Sequence, residues 1–329
     1  MEMKAVFLRG AVPPTHEHPE KLLYNTIDEC EDVWTQLFHA FLARTDSKGE
    51  LLYHGQKKIF KVDNFLTEVW TGSFKEYTPK FEPDVIISRG GFEYYDDLIK
   101  RFPKARKVYY GAGTRFFPQT KFKDYDLVLV DSERQLEKVR SMGWNAEYLL
   151  KPAARLFIPI SVKKKFDICF MSNNVVPDMK GLALLISSLK DSKLSMRVIG
   201  KGSKQFEKMA KTAGVRVDLN DWVFRKDLPD IISTCRVGVC PSTEIDSCPR
   251  VIPEFLACGL PVVVTSDVHF WKELYMTKET GNIAEKTHIV SAVKNLLRSE
   301  TLRPREYYEE HLSVEKAADR LSKQIKGIL

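Results

Sequence analysis

The chain has 329 residues, 43% hydrophobic and 29% charged, with 51 Lys and Arg against 44 Asp and Glu for a formal charge of +7. That length exceeds the roughly 100–200 residues of one ordinary domain and fits two, and the composition excludes a disordered or fibrous chain. The basic excess is small, and residues 1–100 are acidic, with 12 basic against 17 acidic side chains, which argues against an all-over polyanion-binding surface.

No stretch approaches the roughly 18 apolar residues that cross a bilayer. The N-terminus, MEMKAVFLRGAVPP, lacks the apolar core and small-residue cleavage site of a signal peptide. A cytoplasmic protein without a transmembrane segment is therefore expected. Cys30, Cys169, Cys235, Cys240, Cys248 and Cys258 form no CxxC pair and no Cys/His cluster at zinc spacing; they read as reduced thiols, mostly in the core.

Short runs rich in Val, Ile and Leu alternate with segments of helical period, the pattern of a parallel α/β sheet. In chain order the predicted strands are 5–8, 84–88, 107–110 and 127–130, then 166–170, 196–199, 237–240 and 261–264. Two sets imply two doubly wound units. Between them LLKPAARLFIPISVKKKF carries two prolines and a lysine run without sustained period, so a linker is expected near 151–165. The predicted domains are residues 1–155 and 156–329, the last helix packing back on the first.

In open α/β sheets the ligand lies beyond the carboxyl ends of the strands. The residues to inspect are therefore Arg9-Gly10, Arg89-Gly90-Gly91, Gly111-Ala112-Gly113-Thr114-Arg115, Ser172-Asn173-Asn174, Gly200-Lys201-Gly202 and the chain from Pro241. The most informative stretch is CPSTEIDSCPRVIPEFLACGLPVVVTSD, Cys240 to Asp267: a strand end, a polar loop, a helix opening near Pro249 to Val251 with Glu254 a turn in, and a stop at Cys258-Gly259. Free N–H groups at such a helix start suit a diphosphate.

From Phe166 to Asp267 the chain resembles the C-terminal domain of the retaining, glycogen-synthase-like glycosyltransferases, the family-4 group with the GT-B fold. The resemblance rests on ordered pieces: a strand, Met179-Lys180-Gly181 opening a helix, RVIGKGS, VRVDLNDWVFRKDLPDIISTCRVGVCPS, the acidic motif and ACGLPVVV. In the first half, DLVLVDSERQLEKVRSMGWNAEYLLKPAARLFIP (Asp126 to Pro159) is also similar to that family. The resemblance implies two Rossmann-like domains facing across a cleft and retaining, metal-independent transfer of a sugar from a UDP- or GDP-sugar to a glycan or glycolipid hydroxyl, with no further cofactor.

Carried over position by position, the resemblance implies Lys180 as the cation on the donor diphosphate and Glu254 as the carboxylate on the ribose. The loop Asp246-Ser247-Cys248-Pro249 would bind the transferred sugar, Trp222-Val223-Phe224 would lie beside the base, and Gly10 would let the first loop approach the phosphates. Lys180, Asp246 and Glu254 form the implied catalytic set; Asn173, Gly200, Lys201, Arg250 and Val251 complete the donor site. Asp246 stands where the family has the first Glu of its Glu, seven residues, Glu motif. Asn173-Asn174 occupies the place of a family Arg about six residues before Lys180; Arg250, Lys201, Arg9 or Arg115 can replace it.

His16, Arg89 and Arg115 are the acceptor-binding candidates. Asp124-Tyr125-Asp126 spells a metal-binding DxD but precedes a strand, so it reads as a helix-to-strand junction and no metal is implied. Two alternative functions follow from the same residues. One is glycosyl transfer to modified bases in DNA, with Arg101 to Lys123 and Lys163 to Lys165 as a basic track; the other is a catalytically silent GT-B partner subunit.

Overall fold

Buried aliphatic runs become the central strands of two sheets. The computed structural model describes residues 3–9, 27, 30–54, 58–62, 67–72, 74–90, 95–111, 123–176, 180–242 and 248–329. The chain divides into two units, residues 1–150 with 314–329, and residues 151–313.

The first unit holds β1 (Lys4–Arg9), β2 (Lys48–His54), β3 (Lys58–Val62), β4 (Thr67–Gly72), β5 (Val85–Arg89), β6 (Arg106–Gly111), β7 (Leu127–Val130) and β8 (Ala146–Tyr148). They lie in the order β3-β4-β2-β1-β5-β6-β7-β8, all parallel except β3 against β4. Its helices are α1 (Val33–Thr45), α2 (Asp96–Arg101), α3 (Glu133–Ser141) and, from the end of the chain, a helix at Val314–Lys326 that lies against α1. Asp32 caps α1, its carboxylate accepting from the Thr35 N–H at 3.2 Å and hydroxyl at 2.9 Å. Phe38 of α1 stacks on Phe7 of β1 with centroids 5.1 Å apart.

The second unit holds β9 (Phe166–Asn174), β10 (Ser195–Lys201), β11 (Arg216–Asn220), β12 (Cys235–Cys240), β13 (Val262–Thr265) and β14 (Gly281–Ala284), in the order β11-β10-β9-β12-β13-β14 and parallel throughout. Its helices are α4 (Leu182–Ser188), α5 (Glu207–Thr212), α6 (Leu228–Ser233), α7 (Val251–Ala257), α8 (Lys272–Tyr275), α9 (Ile289–Arg298) and α10 (Pro304–Tyr307), so the returning helix of the first unit is α11. Buried Ile289, Ala292, Val293 and Leu296 put the apolar stripe of α9 onto a core shared with Ile168, Met196, Val198, Val237 and Val263. The α7 helix ends as its sequence indicates. Gly259 is left-handed at φ +76, with Gly259 N–H on Leu256 O at 2.9 Å and Leu260 N–H on Phe255 O at 2.9 Å, the paired bonds of a Schellman stop.

The sequence marked the central strands; β2, β3, β4, β8, β11 and β14 carried no continuous apolar run. Residues 151–157, at the start of the second unit, are anchored. Lys151, Pro152, Ala153, Ala154 and Phe157 are buried, and the backbone is held by Tyr308, whose hydroxyl donates to Ala153 O at 3.1 Å, and Arg305, whose Nη1 donates to Phe157 O at 3.1 Å. Prolines and missing period announce irregular backbone; they carry no information about tertiary anchoring. Among the described residues no helix is long and apolar enough to cross a membrane, and the six cysteines are buried thiols outside any disulfide.

Candidate functional site

Counted within its own sheet, the second unit runs 3-2-1-4-5-6. Its β9 and β12 are neighbours whose connections leave to opposite sides, which opens a crevice at their carboxyl ends. The turn Lys180-Gly181 reaches this point. Gly181 has φ +71, and a Cβ there would lie 2.2 Å from the carbonyl oxygen of Pro241, just past β12. Only glycine satisfies both demands, so the close approach fixes the half-buried Lys180 beside the end of β12. The helices that follow, α4 and α7, have seven residues each. Two turns sum few peptide dipoles, so charge at this edge has to come chiefly from side chains.

The neighbouring strand ends interlock. Gly200 has φ +149, with its Cβ position 2.0 Å from Ser172 O; the register between β9 and β10 shifts there, and Lys201 pairs with Asn174. Val175 N–H donates to Lys201 O at 3.1 Å. Asp221, after β11, accepts from Ser203 Oγ at 2.9 Å and from the Lys204 N–H at 3.1 Å, and these bonds, the Lys204 amide first, hold its carboxyl below the usual range. Asn173 and Lys201 are thereby exposed on a fixed rim. Beyond Asp221 two aromatics face solvent, Trp222 at 62% and Phe224 at 60% exposure, with Val223 half-buried between them.

The approach to α7 is anchored from beneath. Buried Lys151 donates from Nζ to Cys248 O at 3.0 Å, and Tyr275 donates from its hydroxyl to Lys151 O at 3.1 Å. Cys248 itself has φ +28, a conformation that costs a non-glycine residue about 1–3 kcal/mol and persists only where the surroundings impose it. Arg250 is exposed and Pro249 buried; the Glu254 N–H donates to Arg250 O at 3.3 Å. On α7, Phe255 closes over Gly238 of β12, where a Cβ would meet its ring at 2.3 Å.

Glu254 is only 4% exposed. Its Oε1 accepts from Arg225 Nη2 at 2.8 Å, and the Arg225 guanidinium lies over the Phe157 ring at 5.0 Å. Burial, and then the negative charge of Glu254, push the Cys258 thiol up.

In the first unit the corresponding switch point lies between β1 and β5, where Arg9 and Arg89 are register partners. Arg9 is buried and ion-paired with Asp32. The half-buried Arg89 lies over the Trp34 ring at 4.3 Å and the Tyr110 ring at 5.8 Å. Asp126 of the DxD sequence stands at the amino end of β7, accepting from Lys107 N–H at 2.8 Å and Arg106 Nη1 at 3.0 Å.

The second unit thus brings Lys180, Asn173, Gly200, Lys201, Cys248, Pro249, Arg250, Val251 and Glu254 to the carboxyl side of one sheet, with Trp222 and Val223 in the loop after β11. Gly10, His16, Arg115, Asp246 and Ser247 lie outside the described residues. Sequence reading missed Arg225, Phe157 and Lys151. Their partners are 29, 68 and 97 positions away along the chain, and no local motif marks such pairs.

Residues 165–299 match the family model described as glycosyl transferases group 1. No curated protein matches the chain. Its fold is similar to that of a sucrose-phosphate synthase from Thermosynechococcus elongatus, at TM-score 0.73 and 13% identity over 99% of each chain. HepE of Anabaena, solved in complex with UDP, aligns at TM-score 0.67 and 16% identity over 99% of this chain and 100% of that one. The lipopolysaccharide outer core galactosyltransferase WaaB aligns at TM-score 0.68 and 13% identity over 98% of this chain and 100% of its own. The fold is GT-B.

Proposed function

Taking as premise that residues 165–299 form a glycosyl transferases group 1 domain on a GT-B fold, we propose that the protein is a retaining glycosyltransferase using a nucleoside diphosphate sugar. The observation that carries the reading is the glycine-enforced placement of Lys180 at the crevice between β9 and β12. A nucleotide ligand belongs at that point of a sheet of this order. In this reading Lys180 meets the diphosphate, Glu254 the ribose, and Trp222-Val223 the base. Asp246, Ser247, Cys248 and Pro249 are assigned to the transferred sugar, and of these Cys248 is held by the bond of Lys151 to its carbonyl.

Departure of the nucleotide puts negative charge on the β-phosphate, and the Lys180 ammonium stabilises that charge more in the transition state than in the ground state. The acceptor hydroxyl attacks the anomeric carbon from the face the phosphate leaves, and the departing phosphate oxygen takes its proton. The chain's own part is orientation and charge. The UDP bound by HepE makes a UDP-sugar the first donor to test, with GDP-sugars next; the acceptor, a glycan or glycolipid, is assigned to the first unit, with Arg89 committed to packing on Trp34 rather than to a ligand.

The test is release of nucleoside diphosphate from a panel of UDP-, GDP- and ADP-sugars, with and without glycan acceptors, by wild type and Lys180→Ala. Acceptor-dependent release that the substitution lowers by about two orders of magnitude or more supports the assignment. Release unaffected by the substitution removes Lys180 from its role. No nucleotide binding at all favours a silent partner subunit.

A further inference from the structure

Three segments far apart in the chain converge on one buried ion pair. Glu254 comes from α7, Arg225 from the turn before α6, and Phe157 from the stretch before β9. The side chains of Arg225 and Glu254 are 13% and 5% exposed, with Nη2 and Oε1 2.8 Å apart, and the guanidinium rests on the Phe157 ring at 5.0 Å. Phe157 is itself fixed, 1% exposed, its carbonyl accepting from Arg305 Nη1 and its N–H donating to Ala154 O at 2.9 Å. Lys226, Asp227 and Arg250 adjoin the pair and are exposed, and the cation seated on Glu254 is Arg225.

A carboxylate has two acceptor oxygens, and a planar guanidinium on one of them fixes the rotation of the group. We propose that Arg225 is a positioning residue that sets Glu254 to read the ribose: holding Oε1, it turns Oε2 toward the sugar hydroxyls and makes the site select ribonucleotides over deoxyribonucleotides. This rests on the reading of the second unit as a nucleotide-sugar site. Arg225 touches no reacting atom. Its effect passes through Glu254, so it belongs to recognition of the nucleoside and not of the diphosphate.

The experiment is calorimetric titration of the full chain with UDP, GDP and ADP, with the 2′-deoxy form of whichever binds, and with inorganic pyrophosphate, for wild type, Arg225→Met, Arg225→Lys and Glu254→Gln. Wild type is expected to prefer the ribonucleotide by about tenfold or more, the scale of a hydrogen bond to a charged group. In Arg225→Met and Glu254→Gln that preference collapses toward unity, with pyrophosphate affinity unchanged. Arg225→Lys keeps a cation without the planar fork and retains a reduced preference; it is the variant that decides if Arg225→Met does not fold. A folded Arg225 variant with the full wild-type preference overturns the inference, whether its affinities are unchanged or uniformly weakened. Wild type that binds no nucleoside diphosphate overturns the donor-site reading and this inference with it, a result the first outcome cannot be confused with.

Discussion

The two sheets place cations at equivalent topological points and treat them differently. At the switch point of the first unit, Arg9 is paired with Asp32, which also caps α1, and Arg89 is laid on Trp34; both arginines are built into the packing around the start of α1. In the second unit the lysine at the switch point sits on a turn that exists because Gly181 meets the Pro241 carbonyl, and the buried ion pair joins Glu254 of α7 to Arg225 of the turn before α6. Position in a doubly wound fold therefore gives an address, and the side chains decide whether that address is spent on stability or on a ligand.

The sharpest way to break the comparison is to remove one member of each buried pair. Arg225→Met and Arg9→Met each strand a carboxylate and should destabilise by about 3–5 kcal/mol in urea titrations; only the first should also change nucleotide selectivity. If Arg9→Met alters nucleotide binding as strongly, the division of labour is wrong. Lys180→Ala should behave in the opposite way, raising the transfer barrier by about 2.7–4 kcal/mol while leaving the urea midpoint nearly unmoved. Gly181→Ala should cost about 1–2 kcal/mol from its left-handed backbone alone, and more from the Pro241 carbonyl. Because it displaces Lys180, it should weaken donor binding, read by the same calorimetry. The smallest effect is on the thiols. Burial pushes Cys30 up to about 12, so its contribution is complete below the ordinary thiol value of 9.0 and is lost as pH rises from there to about 12, because the unfolded chain ionises first. The thermal midpoint should fall between about pH 9 and 11, and iodoacetamide should label Cys30 only after unfolding.

Particular residues show what the sequence could disclose. Leu127–Val130 and Val262–Thr265 are buried along their whole lengths, and such strands read as unbroken apolar runs. The strand Arg216–Asn220 is half-exposed at the sheet edge, and Gly281–Ala284 is four residues long, so neither has a run to show. The stop of α7 was legible because Gly259 and Pro261 are local signals. Lys180 and Glu254 became candidates only through the order of several matched pieces, since a lysine before a helix and a glutamate within one are each commonplace. The guanidinium on Glu254 was not legible: Arg225 lies in a polar turn, and its burial is decided by Phe157 and α7, which the chain brings there only on folding. The anchoring of residues 151–157 was hidden for the same reason, since Phe157 and Lys151 take their meaning from residues far along the chain.

The central claim, that the second unit holds a nucleoside diphosphate through Lys180, is tested most directly by thermal unfolding of wild type and Lys180→Ala with UDP, GDP and ADP in excess. At about a hundredfold its dissociation constant, a ligand stabilises the folded state by roughly 2.7 kcal/mol, a shift of several degrees for a chain of this size. That shift is expected with one nucleotide in wild type, and its loss or marked reduction in Lys180→Ala. No shift with any nucleotide, or an equal shift in both proteins, would contradict it.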